Sequence, residues 1–240
     1  LSVIGLTGGI ATGKSSVSKL LKAKNVHIVD ADLLARAAVL PGTKALRKIV
    51  KEFGPEILLE DGGLNRKKLG EIVFNDEAKR KKLNAIVHPA VRWAMFRKIV
   101  EHYTSSEKYC VLDVPLLIEG GLWKWVGQVV VVYCSVDIQL QRLMNRDNCT
   151  REEALARINA QMPIAEKVAY ADYVIDNSGT PQELSAQVDA FVEKLDKEIG
   201  SLWWIGYILP FVSLLSAIWM LVTRRFFRKK LSRSLVDKTK

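Results

Sequence analysis

The residues with the clearest chemical promise stand near the start of the chain, in "GLTGGIATGKSS" (5–16). Four residues separate Gly8 from Gly13, and Lys14 and Ser15 follow at once. Glycines let a backbone curl until successive N–H groups point inward at phosphate oxygens. Lys14 adds a mobile positive charge for β- and γ-phosphates, and the Ser15 hydroxyl suits Mg²⁺. The spacing is that of a P-loop. It makes Gly8, Gly9, Ile10, Ala11, Thr12, Gly13, Lys14, Ser15 and Ser16 the candidate cradle for a nucleoside triphosphate, ATP with Mg²⁺. A P-loop alone does not separate kinases from GTPases, ATPases or switches. An Asn-Lys-x-Asp guanine reader is missing, since "NRDN" (145–148) lacks the Lys and the spacing. No apolar run ends in the Asp-Glu pair expected of a motor ATPase.

A second chemistry is written in "VDADLLAR" (29–36), where Asp30 and Asp32 fall at the carboxyl end of a strand-like run. Ligands of open α/β sheets bind at such ends, and a carboxylate there takes the proton from an attacking hydroxyl. A plain helix cap explains Asp30 equally well.

These residues need a frame to position them. Short β-branched runs at 2–6, 26–30, 109–114, 129–134 and 173–177 show little apolar/polar alternation, as expected of strands buried on both faces of a parallel sheet. Helical patterns fall between them, two opening on clear caps: "TREE" (150–153) and "TPQE" (180–183) put Thr at the N-cap and Glu three residues on. The expected fold is α/β, a doubly wound parallel sheet of about five strands with helices on both faces. The stretch from about 35 to 105 is largely helical and breaks the alternation, as an insertion that captures a substrate would.

Six separated motifs now bear on identity: "GLTGGIATGKS" (5–15), "DADLLAR" (30–36), "HPAVR" (88–92), "LDVPLLIE" (112–119), "QRLMNRD" (141–147) and "VIDNSG" (174–179). In order and spacing they resemble the dephospho-CoA kinases, over residues 3 to 195. Ala11 stands where bacterial members usually carry Gly, and Ser16 replaces the common Thr. The resemblance implies ATP-dependent phosphorylation of the ribose 3′-hydroxyl of dephospho-CoA, the last step of coenzyme A synthesis. It makes Asp32 the general base. It puts His88, Pro89 and Arg92 in the acceptor-receiving insertion and gives Asp113 a Mg²⁺-bound water. Pro115, Leu116, Leu117 and Glu119 would shape the acceptor pocket. Arg142 and Arg146, spaced i, i+4 on one helix face, become lid arginines over the triphosphate within about 138–166, and Asn177 becomes a neighbour of the adenine. His88 as a structural histidine and the arginines as a solvated basic face are the plainer alternatives. A nucleoside monophosphate-type kinase would share the P-loop, lid and insertion, and a tethered scaffold that has lost catalysis would keep only the shape.

The net charge of +10 does not point to nucleic acid. Residues 224–240 hold eight Lys/Arg against Asp237, which leaves +3 for the rest of the chain. Residues 199–223 carry no charge, and Trp203, Trp204 and Trp219 lie near the ends of that run. About 20 such residues span a bilayer, and a basic flank fits a membrane anchor, although a buried core helix is the alternative. The expected organisation is a kinase-like domain over 1–198, a transmembrane helix over 199–223 with its span at 201–222, and a basic tail over 224–240. That arrangement predicts a tail anchor with the catalytic domain in the cytosol, at the mitochondrial outer membrane or else the endoplasmic reticulum. Other enzymes of coenzyme A synthesis are possible partners. No secretory leader is expected, and Cys110, Cys134 and Cys149 read as reduced thiols.

Overall fold

The structure is a computed structural model that describes residues 2–200 except 75 and 106. The charge-free run expected to span a membrane lies outside the described residues beyond position 200, as does the basic tail. Among the described residues no helix is long and apolar enough to cross a bilayer.

The elements run β1 (Ser2–Gly8), α1 (Lys14–Ala23), β2 (His27–Asp30), α2 (Ala31–Ala38), α3 (Lys44–Phe53), α4 (Arg66–Phe74) and α5 (Glu77–Thr104). They continue as β3 (Tyr109–Asp113), β4 (Gln128–Tyr133), α6 (Val136–Asp147), α7 (Arg151–Asn159), α8 (Ile164–Val168), β5 (Tyr173–Asp176) and α9 (Pro181–Ile199). The five strands form one sheet in the order β2-β3-β1-β4-β5. β1 runs parallel to β3, from Ser2 opposite Tyr109 to Leu6 opposite Asp113, and parallel to β4, from Ile4 opposite Gln128 to Gly8 opposite Val132. β4 in turn pairs in parallel with β5.

The described chain divides into two compact units, one of residues up to Ile28 and from His102 onward, the other Val29–Glu101. In the first, Val129, Val130, Val131 and Val132 are all fully buried, as the unbroken apolar run requires. Ile4, Leu6, Val130 and Val132 of the sheet pack with Val17 and Leu21 of α1 and with Val188 and Phe191 of α9. Each buried side chain of this size contributes about 1.5–3 kcal/mol. Both expected capping boxes are present: Thr150 with Glu153 at the start of α7, and Thr180 with Glu183 at the start of α9. In the second unit a separate core joins Val39, Ala45, Ile49, Phe53, Ile57 and Leu69.

Candidate active site

β1 ends at Gly8 and α1 begins at Lys14, so the glycine motif forms the turn between a central strand and a helix N-terminus. Ala11 (φ 59°) and Gly13 (φ 89°) both lie in the left-handed region. Left-handed residues alternating with ordinary ones fold the backbone into a concavity lined with N–H groups, an anion nest. A side chain at Gly13 is excluded twice over, by that φ and because a Cβ would fall 2.0 Å from the Asn177 amide nitrogen.

The hydrogen bonds around this loop are polarised. Side chains of other elements take its carbonyls. Asn177 Nδ2 donates to the Thr12 carbonyl (2.8 Å), Gln139 Nε2 to that of Ile10 (2.6 Å) and Lys167 Nζ to that of Gly8 (3.2 Å). The Gly9 carbonyl accepts from the Thr12 hydroxyl (2.9 Å), and the Gly13 carbonyl accepts from the backbone of Ser16 (2.9 Å) and Val17 (3.3 Å). The Ile10 N–H donates to Gln161 Oε1 (2.9 Å). By contrast, the N–H groups of Ala11, Gly13, Lys14 and Ser15 meet no protein acceptor among the described residues. With its carbonyls tied back and four N–H groups unclaimed at a helix N-terminus, the loop presents donors that suit an anion.

Charged groups complete the cradle. Lys14 Nζ pairs with one oxygen of Asp113, the last residue of β3, and the other oxygen accepts from Ser18 Oγ at 2.6 Å. β3 lies beside β1, so the sheet register sets this pair. Asp113 is buried, whereas Ser15 and Ser16 are exposed. Arg142 Nη1 is buried without a hydrogen-bond acceptor and would lie 3.9 Å from a Cβ built on Gly13. A buried, unpartnered guanidinium nitrogen at the cradle suits an anionic ligand. Its neighbour Cys134 has its thiol pushed up by burial, with Arg142 opposing. The i, i+4 spacing does not give Arg146 the same surroundings. Arg146 is exposed and chelates Asp147 through Nε (2.7 Å) and Nη2 (3.2 Å), and Arg157 Nη1 joins the same carboxylate (2.6 Å). Arg146 foremost, with Arg157, holds the Asp147 carboxyl below its ordinary range.

The remaining expected residues are dispersed. Asn177 is buried and its amide holds the loop backbone. Pro115 contributes its carbonyl, which accepts from Thr7 Oγ1 (2.8 Å). Leu116 is exposed, but Leu117 is fully buried against Gly5, and Glu119 pairs with Lys167 at 2.8 Å. In the second unit Asp30 caps α2, its Oδ1 accepting from the N–H groups of Asp32 (2.8 Å) and Leu33 (3.0 Å). Asp32 is exposed and lines a cavity of about 410 Å³ with Arg36 and Arg66 above Val39, Ile49 and Leu69. On α5, Pro89 lines a second cavity of about 560 Å³ with Trp93 and Arg97, while His88 and Arg92 are exposed and line neither cavity.

Gln139, Gln161 and Lys167 were not legible as site residues. Their types recur throughout the chain, and only tertiary packing brings them to the loop: α6 against Ile10 and Ala11, the turn after α7, and α8 beside β4.

The family model described as dephospho-CoA kinase matches residues 2–183. The dephospho-CoA kinase of Geobacillus kaustophilus is 54% identical over 193 residues, covering 80% of this chain and 96% of that protein. A crystal structure from Thermus thermophilus superposes with a TM-score of 0.69 at 32% identity, covering 81% of this chain and 98% of that one. The dephospho-CoA kinase from Campylobacter jejuni superposes with a TM-score of 0.60 at 26% identity, over 82% and 98% of the two chains. Alignment at this identity over nearly the full length of such relatives leaves one assignment: the chain belongs to the dephospho-CoA kinase family.

Proposed function

We infer that this chain transfers the γ-phosphoryl group of ATP to the ribose 3′-hydroxyl of dephospho-CoA, giving coenzyme A and ADP. The observation that carries it is the polarised loop of residues 8–15, whose carbonyls are occupied and whose N–H groups of Ala11, Gly13, Lys14 and Ser15 are not.

In this reading the loop N–H groups bind the triphosphate, and Lys14 leaves Asp113 to lie against the β- and γ-oxygens. The ribose oxygen attacks the γ-phosphorus while the bond to the β,γ-bridging oxygen breaks, so the electron pair leaves with ADP. Asp32 accepts the hydroxyl proton. Its carboxylate suits the role because the neighbouring Asp30 serves as the helix cap. Arg142, with its unpartnered Nη1, offsets phosphate charge, and Arg146 reaches the phosphates on releasing Asp147. Ser15 and, through water, Asp113 would hold Mg²⁺, which neutralises phosphate charge when bound. An exposed hydroxyl and a carboxylate fit a hard cation that keeps most of its waters. The cavity bearing Asp32, Arg36 and Arg66 receives the acceptor, its basic groups meeting phosphate and its apolar floor the rest.

The further proposal concerns place. Residues 201–222 anchor the chain in a bilayer, with the catalytic domain on the cytosolic side of the mitochondrial outer membrane or else the endoplasmic reticulum, where enzymes of the preceding steps are candidate partners. The charge-free run and the basic block after it support this reading. Full-length protein recovered in the soluble fraction would overturn it.

The activity is tested with purified chain, Mg²⁺, ATP and dephospho-CoA, followed by mass analysis and localisation of the added phosphate. One phosphate on the ribose 3′-oxygen is expected. Bound ATP without transfer would overturn the acceptor.

A further inference from the structure

We infer that Lys167 is a positioning residue for the phosphate cradle, which it holds from behind. This rests on the reading of residues 8–16 as the ATP site.

The side chain of Lys167 is wholly buried. Its ammonium has three donors and meets three acceptors: the Gly8 carbonyl at 3.2 Å, the Pro115 carbonyl at 3.4 Å and Glu119 Oε1 at 2.8 Å. Burying a charge is costly even when it is paired, and an apolar side chain of similar volume commonly serves packing as well or better. What lysine supplies that an apolar residue lacks is donors for two backbone carbonyls. Gly8 closes β1 where the cradle begins. Pro115 lies two residues beyond Asp113, the carboxylate that holds Lys14. One ammonium therefore fixes the start of the cradle against the strand end that carries its partner carboxylate.

The pattern around it is regular. The carbonyls of positions 8, 10 and 12 are each taken by a side chain from elsewhere, namely Lys167, Gln139 and Asn177. Lys167 alone of the three brings a charge. That charge is balanced by Glu119 at 2.8 Å, so the ammonium serves the loop as a fixed donor to two carbonyls rather than as a free charge.

The test measures Mg-ATP affinity by calorimetry and melting temperature together, on the full chain. Lys167→Met is expected to weaken ATP binding at least tenfold. The double variant Lys167→Met/Glu119→Gln removes both charges, so no lone carboxylate remains. It is expected to melt close to the natural chain and still bind ATP at least tenfold more weakly, because two carbonyls lack their donor. Glu119→Gln alone keeps the lysine's donors to both carbonyls and should bind ATP more tightly than the double variant. If the single lysine variant does not fold, the double variant decides. Natural affinity in the double variant overturns the inference. A double variant that does not fold makes the ammonium a requirement of the fold and also overturns it. Failure of the natural chain itself to bind ATP defeats the underlying reading instead.

Discussion

The glycine-rich loop and the cavity of the Val29–Glu101 unit are built by opposite means. The loop is backbone held by buried side chains: Asn177, Gln139 and Lys167 are each less than a tenth exposed, and each holds one of its carbonyls. The cavity is an apolar floor, with fully buried Ile49 beneath, and its charges, Asp32, Arg36 and Arg66, stand on helices. A triphosphate presents the same oxygens every time, so a rigid nest with fixed donors suits it. A long, flexible acceptor is better met by side chains that can adjust. Chemistry that needs one mobile proton carrier is then expected on the adjustable side, and affinity for the common nucleotide on the rigid side.

Asp32→Asn is the largest test of that division. It should lower kcat by roughly 10²- to 10⁴-fold, the range of a lost general base, and leave the Kd for Mg-ATP nearly unchanged. An unaltered kcat would remove Asp32 from the mechanism. Arg66→Ala follows. Losing a charged donor costs about 1.5–3 kcal/mol, so KM for dephospho-CoA should rise by roughly 10- to 100-fold with ATP affinity intact. Equal effects on both substrates would show that the two regions do not divide the work. Asn177→Leu is the mirror experiment. It deprives the buried Thr12 carbonyl of its donor, at about 1–3 kcal/mol, and should weaken ATP about tenfold while sparing the acceptor.

The same division explains what the sequence made legible. Gly8, Gly13, Lys14 and Ser15 act through local backbone geometry, so their spacing alone reveals them, as do the Thr150 and Thr180 caps. The unbroken valine run announces a strand covered on both faces, and β4 is one. Residues that act through tertiary contact leave no such trace. Gln139 lies two residues before the motif that names Arg142, yet its amide matters because α6 sets it against Ile10. The spacing of Arg142 and Arg146 does not reveal their different surroundings, for a related reason. Helical spacing puts both on one face, but Asp147 draws Arg146 outward to exposed solvent. Glu119 and Leu117 sit in a motif, although one is tied to Lys167 and the other lies in the core.

The smallest effect expected concerns the rigid region alone. Cys110 is fully buried on β3, opposite Val3, and burial pushes its thiol from the ordinary 9.0 up to about 12. Between those values the unfolded chain releases this proton and the folded chain keeps it. Fewer protons on the unfolded state make stability fall as pH rises, so the contribution of Cys110 is fully present below pH 9 and lost as pH climbs toward 12. Cys110→Val has no such proton and fills nearly the same space. The stability difference between the natural chain and the variant, followed by denaturant unfolding, should therefore be flat from pH 7 to 9 and then shift in the variant's favour. A constant difference up to pH 11 would mean that water or a cation reaches this strand, and the sheet beneath the cradle would not be the sealed support that holding the loop requires.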